Sequence, residues 1–324
     1  DGVFVLIQRA QVTIQATELS VLERVPRALF AIRRAFARGV SHALPEPESS
    51  LAVGLIAGGK QGLGNELLEA FTVSGLLPIV VLSGYNVMIV AEAVLRSLRF
   101  LPRVGATGVA GIVILLFVLA SGAGASAVRA GVMAGVGLFA RATGRTYDAL
   151  RALVFVFVLM LAHNPLLLLY DPGFQFSVIA TLGLIVGSPL VSKRLTWVKS
   201  GVLREVLATT ISAQLFVLPL LLFETGNLSF IAVPANILVL PVVPFAMLLS
   251  FVAGVVGLLV PFAAPIVGLP AYALLHYIVS VARVAAELPL AHTIIPAFPF
   301  VVVLLLYGLL GAGVWWLKRN TARP

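Results

Sequence analysis

Apolar and polar positions change their period several times along this chain. Over residues 1–20 they alternate, with Val3, Val5 and Ile7 set against Gln8, Gln11 and Gln15, the period-two pattern of a strand at the end of a small β domain. From Val21 to Leu44 the apolar side chains Leu22, Val25, Leu29, Ile32, Phe36 and Val40 recur at helical spacing, while Arg24, Arg27, Arg34 and Arg38 take other faces. That spacing predicts a basic amphipathic helix lying on a membrane surface. The linker PEPES (45–49) leads to an apolar piece, Leu51 to Gly59, which is too short to cross a bilayer and is followed by the polar stretch KQGLGNELLEA; it reads as interfacial or re-entrant. Beyond it nine apolar runs are counted as candidate spans: Leu76–Leu95, Val104–Ser121, Ala127–Ala140, Leu150–Leu169, Gly173–Val191, Val206–Phe223, Leu228–Val260, Ile266–Ala286 and Phe298–Leu317. The Ala127 run is short, and Pro234, Pro241 and Pro244 break the Leu228 run.

Composition supports a membrane protein. Of 324 residues 60% are hydrophobic and 11% charged, against about 25% charged in a soluble domain. The expected fold is all-α, a polytopic membrane protein of eight or nine transmembrane helices with one broken or re-entrant segment. Its parts are a remnant β domain (1–20), the interfacial helix and linker (21–48), the transmembrane domain (49–317) and a basic tail (318–324). The chain begins at Asp1 rather than methionine and reads as a fragment or a processed product. With no cysteine there is no disulfide, thiolate metal site or thiol nucleophile.

Charge orients the spans, because Lys and Arg in short loops mark the cytoplasmic side. Arg96, Arg99 and Arg103 form one basic cluster; Arg141, Arg145 and Arg151 a second; Lys193, Arg194, Lys199 and Arg204 a third; and Lys318, Arg319 and Arg323 a fourth. Nine single crossings place all of them on one side, taken as cytoplasmic, opposite the loops at 122–126, 163–172, 224–227 and 288–296. The amphipathic helix then falls outside and obeys the rule only as an interfacial element whose arginines meet phosphate head groups. A re-entrant Leu228–Val260 segment would instead move the C-terminus outside.

Polar residues within apolar spans are costly and mark either a site or an interhelical contact. In LSGYNVMIV (82–90), Ser83 and Gly84 loosen the helix and Asn86 exposes a carboxamide; the competing reading is packing through small residues with Asn86 bonded to a neighbour. Arg129, near the start of a Gly- and Ala-rich helix on the non-cytoplasmic side, calls for a carboxylate or phosphate partner, or else snorkels to the interface. Asp171 before Pro172 matches an N-cap followed by proline at the first helical position. Capping leaves Gln175 and Ser177 unexplained. Gln214 and Asn236 are further carboxamides in apolar runs, and with Asn86 and Gln175 they outline a neutral polar path. Glu92 and Arg96, at i,i+4, are expected to pair. No Walker spacing, HExxH helix, histidine pair at ligand spacing or nucleophile–base pair occurs, so no catalytic or metal residue and no cofactor is expected, and the chain does not read as an enzyme.

Four stretches in series, FTVSGLLPIVVLSGYNVMIVAE (71–92), SAVRAGVMA (126–134), DPGFQFSVIATLGL (171–184) and AQLFVLPLLLFETGNLSFIAVPANILVLPVVP (213–244), resemble the competence domain of ComEC-type DNA-uptake channels. The similarity runs from about residue 25 to 317, and residues 1–20 would match the tail of the small OB-like domain that often precedes the channel. The resemblance implies passage of single-stranded DNA through the cytoplasmic membrane during natural transformation. It also implies work beside a DNA receptor and a helicase-like ATPase motor, amid membrane lipids. Ser83, Gly84, Asn86, Arg129, Asp171, Gln175 and Ser177 match the family's recurrent polar positions. Two departures stand out. The histidine of the family's TG-x-x-H-x-x-x-x-SG pattern is absent, and the sequence ends in KRNTARP without the metallo-β-lactamase-like domain, which would leave strand degradation to a separate nuclease. Two other readings fit the bare pattern: a secondary transporter for a small polar solute, motivated by the proline-broken segment, and a non-transporting scaffold in which the carboxamides only join helices.

Overall fold

The computed structural model describes residues 21–59, 62–80, 84–288 and 292–321. The expected strand of residues 1–20 and the candidate Ser83 lie outside them. The chain opens with α1 (Val21–Ala43), then two short helices, α2 (Glu48–Ala57) and α3 (Gly64–Val73), followed by α4 (Leu77–Val80) and α5 (Gly84–Ser97). Next come α6 (Arg103–Ala120), α7 (Ala125–Thr143) and α8 (Ala149–His163), the last started by Asp148, whose carboxylate accepts the Leu150 and Arg151 amides. After a single turn, α9 (Leu167–Tyr170), the helix α10 (Pro172–Leu182) widens into a π turn over Gly183–Gly187 and continues as α11 (Ser188–Arg194). The remainder is α12 (Gly201–Thr225), a short strand β1 (Asn227–Ser229), α13 (Ala232–Val239), α14 (Val243–Leu259), α15 (Ala264–Glu287), a second strand β2 (His292–Ile294) and α16 (Phe300–Thr321).

Three apolar clusters hold these helices together. The largest joins α1, α2, α3, α13, α14 and α15 through Val40, Leu51, Phe71, Val239 and Leu275. A second packs α5 on α6 and α7 through Val87, Ala110, Ile114 and Ala130, and a third packs the same α7 on α8 and α10 through Met133, Val156 and Phe174. Helix α7 is therefore shared by two cores. Among the candidate spans described, α16 is the least buried; it leans on α12 through the Tyr307 hydroxyl, 3.0 Å from the Phe216 carbonyl, and through the edge contact of Phe300 with Phe223.

Helix α1, expected on the membrane surface, is packed into the bundle over its C-terminal half, where Phe36, Val40 and Ala43 are buried while Arg34 and Arg38 stay exposed. Glycines allow it. A side chain at Gly39 would collide with the Gly254 carbonyl, and one at Gly257 with the Gly39 backbone, so only hydrogens let α1 and α14 cross this closely.

The all-α membrane architecture is as expected, while the count of eight or nine crossings is not confirmed. Among the described residues five helices are long and apolar enough to span a bilayer: Arg103–Ala120, Pro172–Arg194, Gly201–Thr225, Pro261–Glu287 and Phe300–Arg319. A sixth appears if α13 and α14 count as one broken span. The other helices fall outside this group for local reasons. Helix α8 has 15 residues and α5 has 14, below the ~20 that a hydrocarbon core requires, and α7 carries Arg129 and Arg141 among its glycines.

A feature unforeseen from sequence is the antiparallel pairing of β1 with β2, which sets Asn227 opposite Ile294, Leu228 opposite Thr293 and Ser229 opposite His292. It joins the end of α12 to the segment after α15. The Ile295 amide extends it, donating to the Gly226 carbonyl at 2.7 Å.

Candidate transport site

Polar chemistry concentrates at helix ends. A helix end leaves backbone groups that water cannot reach at membrane depth, so protein groups must meet them. At the start of α5 three consecutive residues each touch a different element. A Cβ on Gly84 would lie 2.8 Å from Nη2 of Arg129 on α7, so the absence of a side chain makes room for the guanidinium. The Tyr85 hydroxyl donates to the Leu240 carbonyl at the bend between α13 and α14, at 3.4 Å. Asn86, fully buried, donates from Nδ2 to the Leu55 carbonyl in the last turn of α2, at 3.1 Å.

Arg129 is turned inward rather than snorkelling, and only 6% of it is exposed. Its Nε donates to Ser177 Oγ on α10 at 2.7 Å and its Nη1 to the Met133 thioether at 3.2 Å. Ser177 in turn donates to Ser126 Oγ at 3.0 Å. Among the described residues no carboxylate forms an ion pair with it. Its neighbours are thus neutral. Burying a cation this way is expensive unless an anion visits or the cation has other work.

The other candidates serve helix ends. Asp171 Oδ1 accepts the Phe174 amide at 2.9 Å and Pro172 opens α10, the cap that the sequence pattern expected. Gln175 donates to the Leu168 carbonyl on α9 at 2.8 Å. Asn236 donates to Ala232 O at 2.8 Å and reaches Gly75 O, beyond the end of α3, at 3.5 Å; Ser229 donates to the adjacent Val73 carbonyl. Gln214 is half-buried on α12, and its side chain makes no hydrogen bond among the described residues. The structure therefore gathers Gly84, Arg129 and Ser177, with Asn86 adjoining. Asp171 and Gln175 sit at the start of α10, and no hydrogen bond links Gln175, Gln214 and Asn236 to one another among the described residues.

Two groups escaped the sequence reading. Glu48, placed there in a linker, is 3% exposed in the first turn of α2, with Oε1 2.8 Å from Nδ1 of His276 on α15. The Tyr272 ring stacks on that imidazole. The signal was His276 itself, since an imidazole inside a long apolar helix needs a partner. The second is Tyr147, in the loop after α7, which lines a pocket of about 440 Å³ with Thr146, Asp148, Arg151 and Phe155. Burial raises its phenol above the ordinary range; the Arg129 charge opposes that shift and Asp148 adds to it. Arg129 and this pocket thus lie within electrostatic reach of each other.

A family model described as "Competence protein" matches residues 55–320. ComE operon protein 3 of Bacillus subtilis (strain 168) is 30% identical over 217 residues, an alignment covering 65% of this chain and 27% of that protein. This chain accordingly spans only about a quarter of that relative's length. No solved structure matches.

Proposed function

The chain belongs to the competence protein family, and on that footing we propose that it forms a conduit in DNA uptake, passing single-stranded DNA through the cytoplasmic membrane during natural transformation. The observation that carries this reading is Arg129, a buried guanidinium held by a hydroxyl and a thioether with no carboxylate pair among the described residues. A strand brings one phosphate charge per nucleotide, and a cation whose neighbours are neutral keeps its charge available for it. Ser177 and Ser126 hold the Nε edge, and Gly84 leaves space at the Nη2 edge. A DNA receptor and a helicase-like ATPase motor are its proposed partners.

Chain direction supports a specific orientation. Because β1 and β2 pair, the end of α12 and the segment after α15 lie on the same side. Between them the chain must cross an even number of times. Taking α15 as one crossing, we read the α13–α14 pair, bent by 50°, as a broken span that also crosses once rather than a re-entrant loop. Lys318 and Arg319 at the end of α16 then share the side of the other basic clusters, the cytoplasmic one.

The test is the accumulation of nuclease-protected, end-labelled DNA in cells carrying Arg129→Gln, with surface-bound label counted separately. Roughly tenfold or greater loss of protected label at unchanged surface binding and protein abundance is expected, given the strength of hydrogen bonds to charged groups. Wild-type uptake in that variant would remove Arg129 from the path, and wild-type uptake in a strain lacking the gene would overturn the conduit reading itself.

A further inference from the structure

One face of α7 leads from Arg129 toward the pocket at Tyr147. Ser126, Arg129, Met133, Val136 and Ala140 are spaced i−3, i, i+4, i+7 and i+11 about Arg129, which puts them in one stripe along the helix. Val136 and Ala140 form part of the pocket wall. Roughly 10–16 Å of helix separates the buried cation from that wall, at the usual rise per residue. The pocket sits where α7 ends and α8 begins, beside Arg141, Arg145 and Arg151, a basic stretch that reads as cytoplasmic when α7 and α8 are each counted as a crossing.

Its chemistry is that of a site for a nucleotide unit. The Tyr147 ring rests on α7 at Gly137, where a Cβ would stand 3.7 Å from it, while 43% of the residue stays exposed. One side of the ring is backed by the helix and another is left for a ligand. Phe155 adds a second exposed ring to the lining. The Asp148 carboxylate is already committed: Oδ1 accepts the Leu150 and Arg151 amides at 3.0 Å, and Oδ2 holds Arg151 Nε at 3.2 Å. That pair leaves Nη1 and Nη2 of the exposed Arg151 without a hydrogen bond among the described residues. A volume of about 440 Å³ lies within the ~300–1,000 Å³ range of small-ligand pockets.

We propose that this pocket between α7 and α8 is an exit-side subsite for one nucleotide of the translocated strand, its base stacked on Tyr147 and its phosphate held by the Nη edge of Arg151. The assignment rests on the conduit reading and adds a second station to it: Arg129 meets a phosphate inside the bundle, and Tyr147 receives a base as the strand leaves. Stacking on an aromatic ring tolerates any base, which suits a conduit that must pass any sequence.

Photocrosslinking tests it. The purified chain in lipid nanodiscs is mixed with a single-stranded oligodeoxynucleotide carrying 5-iododeoxyuridine, irradiated, and digested for peptide mapping; an abasic oligonucleotide of the same length serves as competitor. The expected result is an adduct on Tyr147 or Phe155. Tyr147→Leu should weaken oligonucleotide binding by roughly five- to a hundredfold while the abasic strand, which lacks bases to stack, binds wild type and variant alike. Tyr147→Phe should retain binding. Adducts confined to other residues, with Tyr147→Leu binding as the wild type does, would overturn the subsite and leave the conduit standing. Equal weakening of the abasic strand would also overturn it, because the pocket would then be a phosphate site that a lipid head group could fill. Absence of any oligonucleotide binding by the wild type would overturn both readings.

Discussion

Asn86 on the first turn of α5 and Arg129, packed beside Gly84 of the same turn, should respond differently to substitution. Asn86→Leu removes the donor to the Leu55 carbonyl, and a buried acceptor left unmet costs about 1–3 kcal/mol. Reduced abundance and a lower unfolding temperature of the purified protein are the expected outcomes, with DNA uptake falling only in proportion. Arg129→Gln should instead spare abundance and lower uptake; equal loss of abundance in both variants would assign Arg129 to the scaffold. Asp171 offers a third case. Its carboxylate caps α10, so Asp171→Ala should cost about 0.5–2 kcal/mol while Asp171→Ser, which keeps a capping oxygen, recovers most of it. If Asp171→Ser folds normally but abolishes uptake, the carboxylate does more than cap. The Asp171 cap and the Glu92–Arg96 pair, 2.7 Å apart, were legible in sequence because both are local. The neighbours of Arg129 were not, since Ser177 is brought to it by the packing of α10 on α7. Glu48 was hidden for the same reason, its partner His276 being more than two hundred residues away.

At the scale of elements, the crossing of α1 and α14 is the tightest contact described. Gly254→Val would drive a branched side chain into Phe36 and Val40, and overpacking of that kind costs about 1–3 kcal/mol or more. Gly308→Val on α16, where nothing lies within 4 Å of the added carbon, should leave folded yield unchanged. Comparison of detergent-extracted yield for the two variants checks both, and comparable yields would mean that α1 docks elsewhere. Helices α6, α12, α15 and α16 were readable from hydropathy because they are long and carry few charges. The runs that fell short as single spans, around α5, α7 and α8, look alike in a sliding window. Whether such a run stops at 14 or 15 residues or hosts an arginine is set by local backbone and packing. The strands β1 and β2 were invisible because three residues cannot display a period.

For the whole molecule, orientation is the sharpest expectation. With no native cysteine, every introduced thiol is the sole label. Cysteines placed singly at Leu228 and Thr293 should react with a membrane-impermeant maleimide added to intact cells, and one at Leu317 should react only after permeabilisation. Labelling of Leu228 and Thr293 from opposite sides would contradict the strand pairing. Placed together, those two thiols face each other across the β1–β2 ladder and should form an oxidative crosslink, visible as a mobility shift lost on reduction. The membrane character and the family were legible in the sequence, the first from composition and the second from four polar-studded stretches whose order survives intact. The pairing of β1 with β2 was not, because it joins segments more than sixty residues apart that hydropathy cannot relate.

That small sheet also constrains how the protein is made. The first of its strands leaves the ribosome before α13, α14 and α15 exist, and its partner follows only after all three. Until then the segment after α12 has its ladder groups unpaired. Biogenesis therefore closes late, by a clasp that forms once the whole proline-broken span and its successor have been inserted. A nascent chain arrested within α15 should present Asn227–Ser229 to protease, whereas the finished protein should shield it.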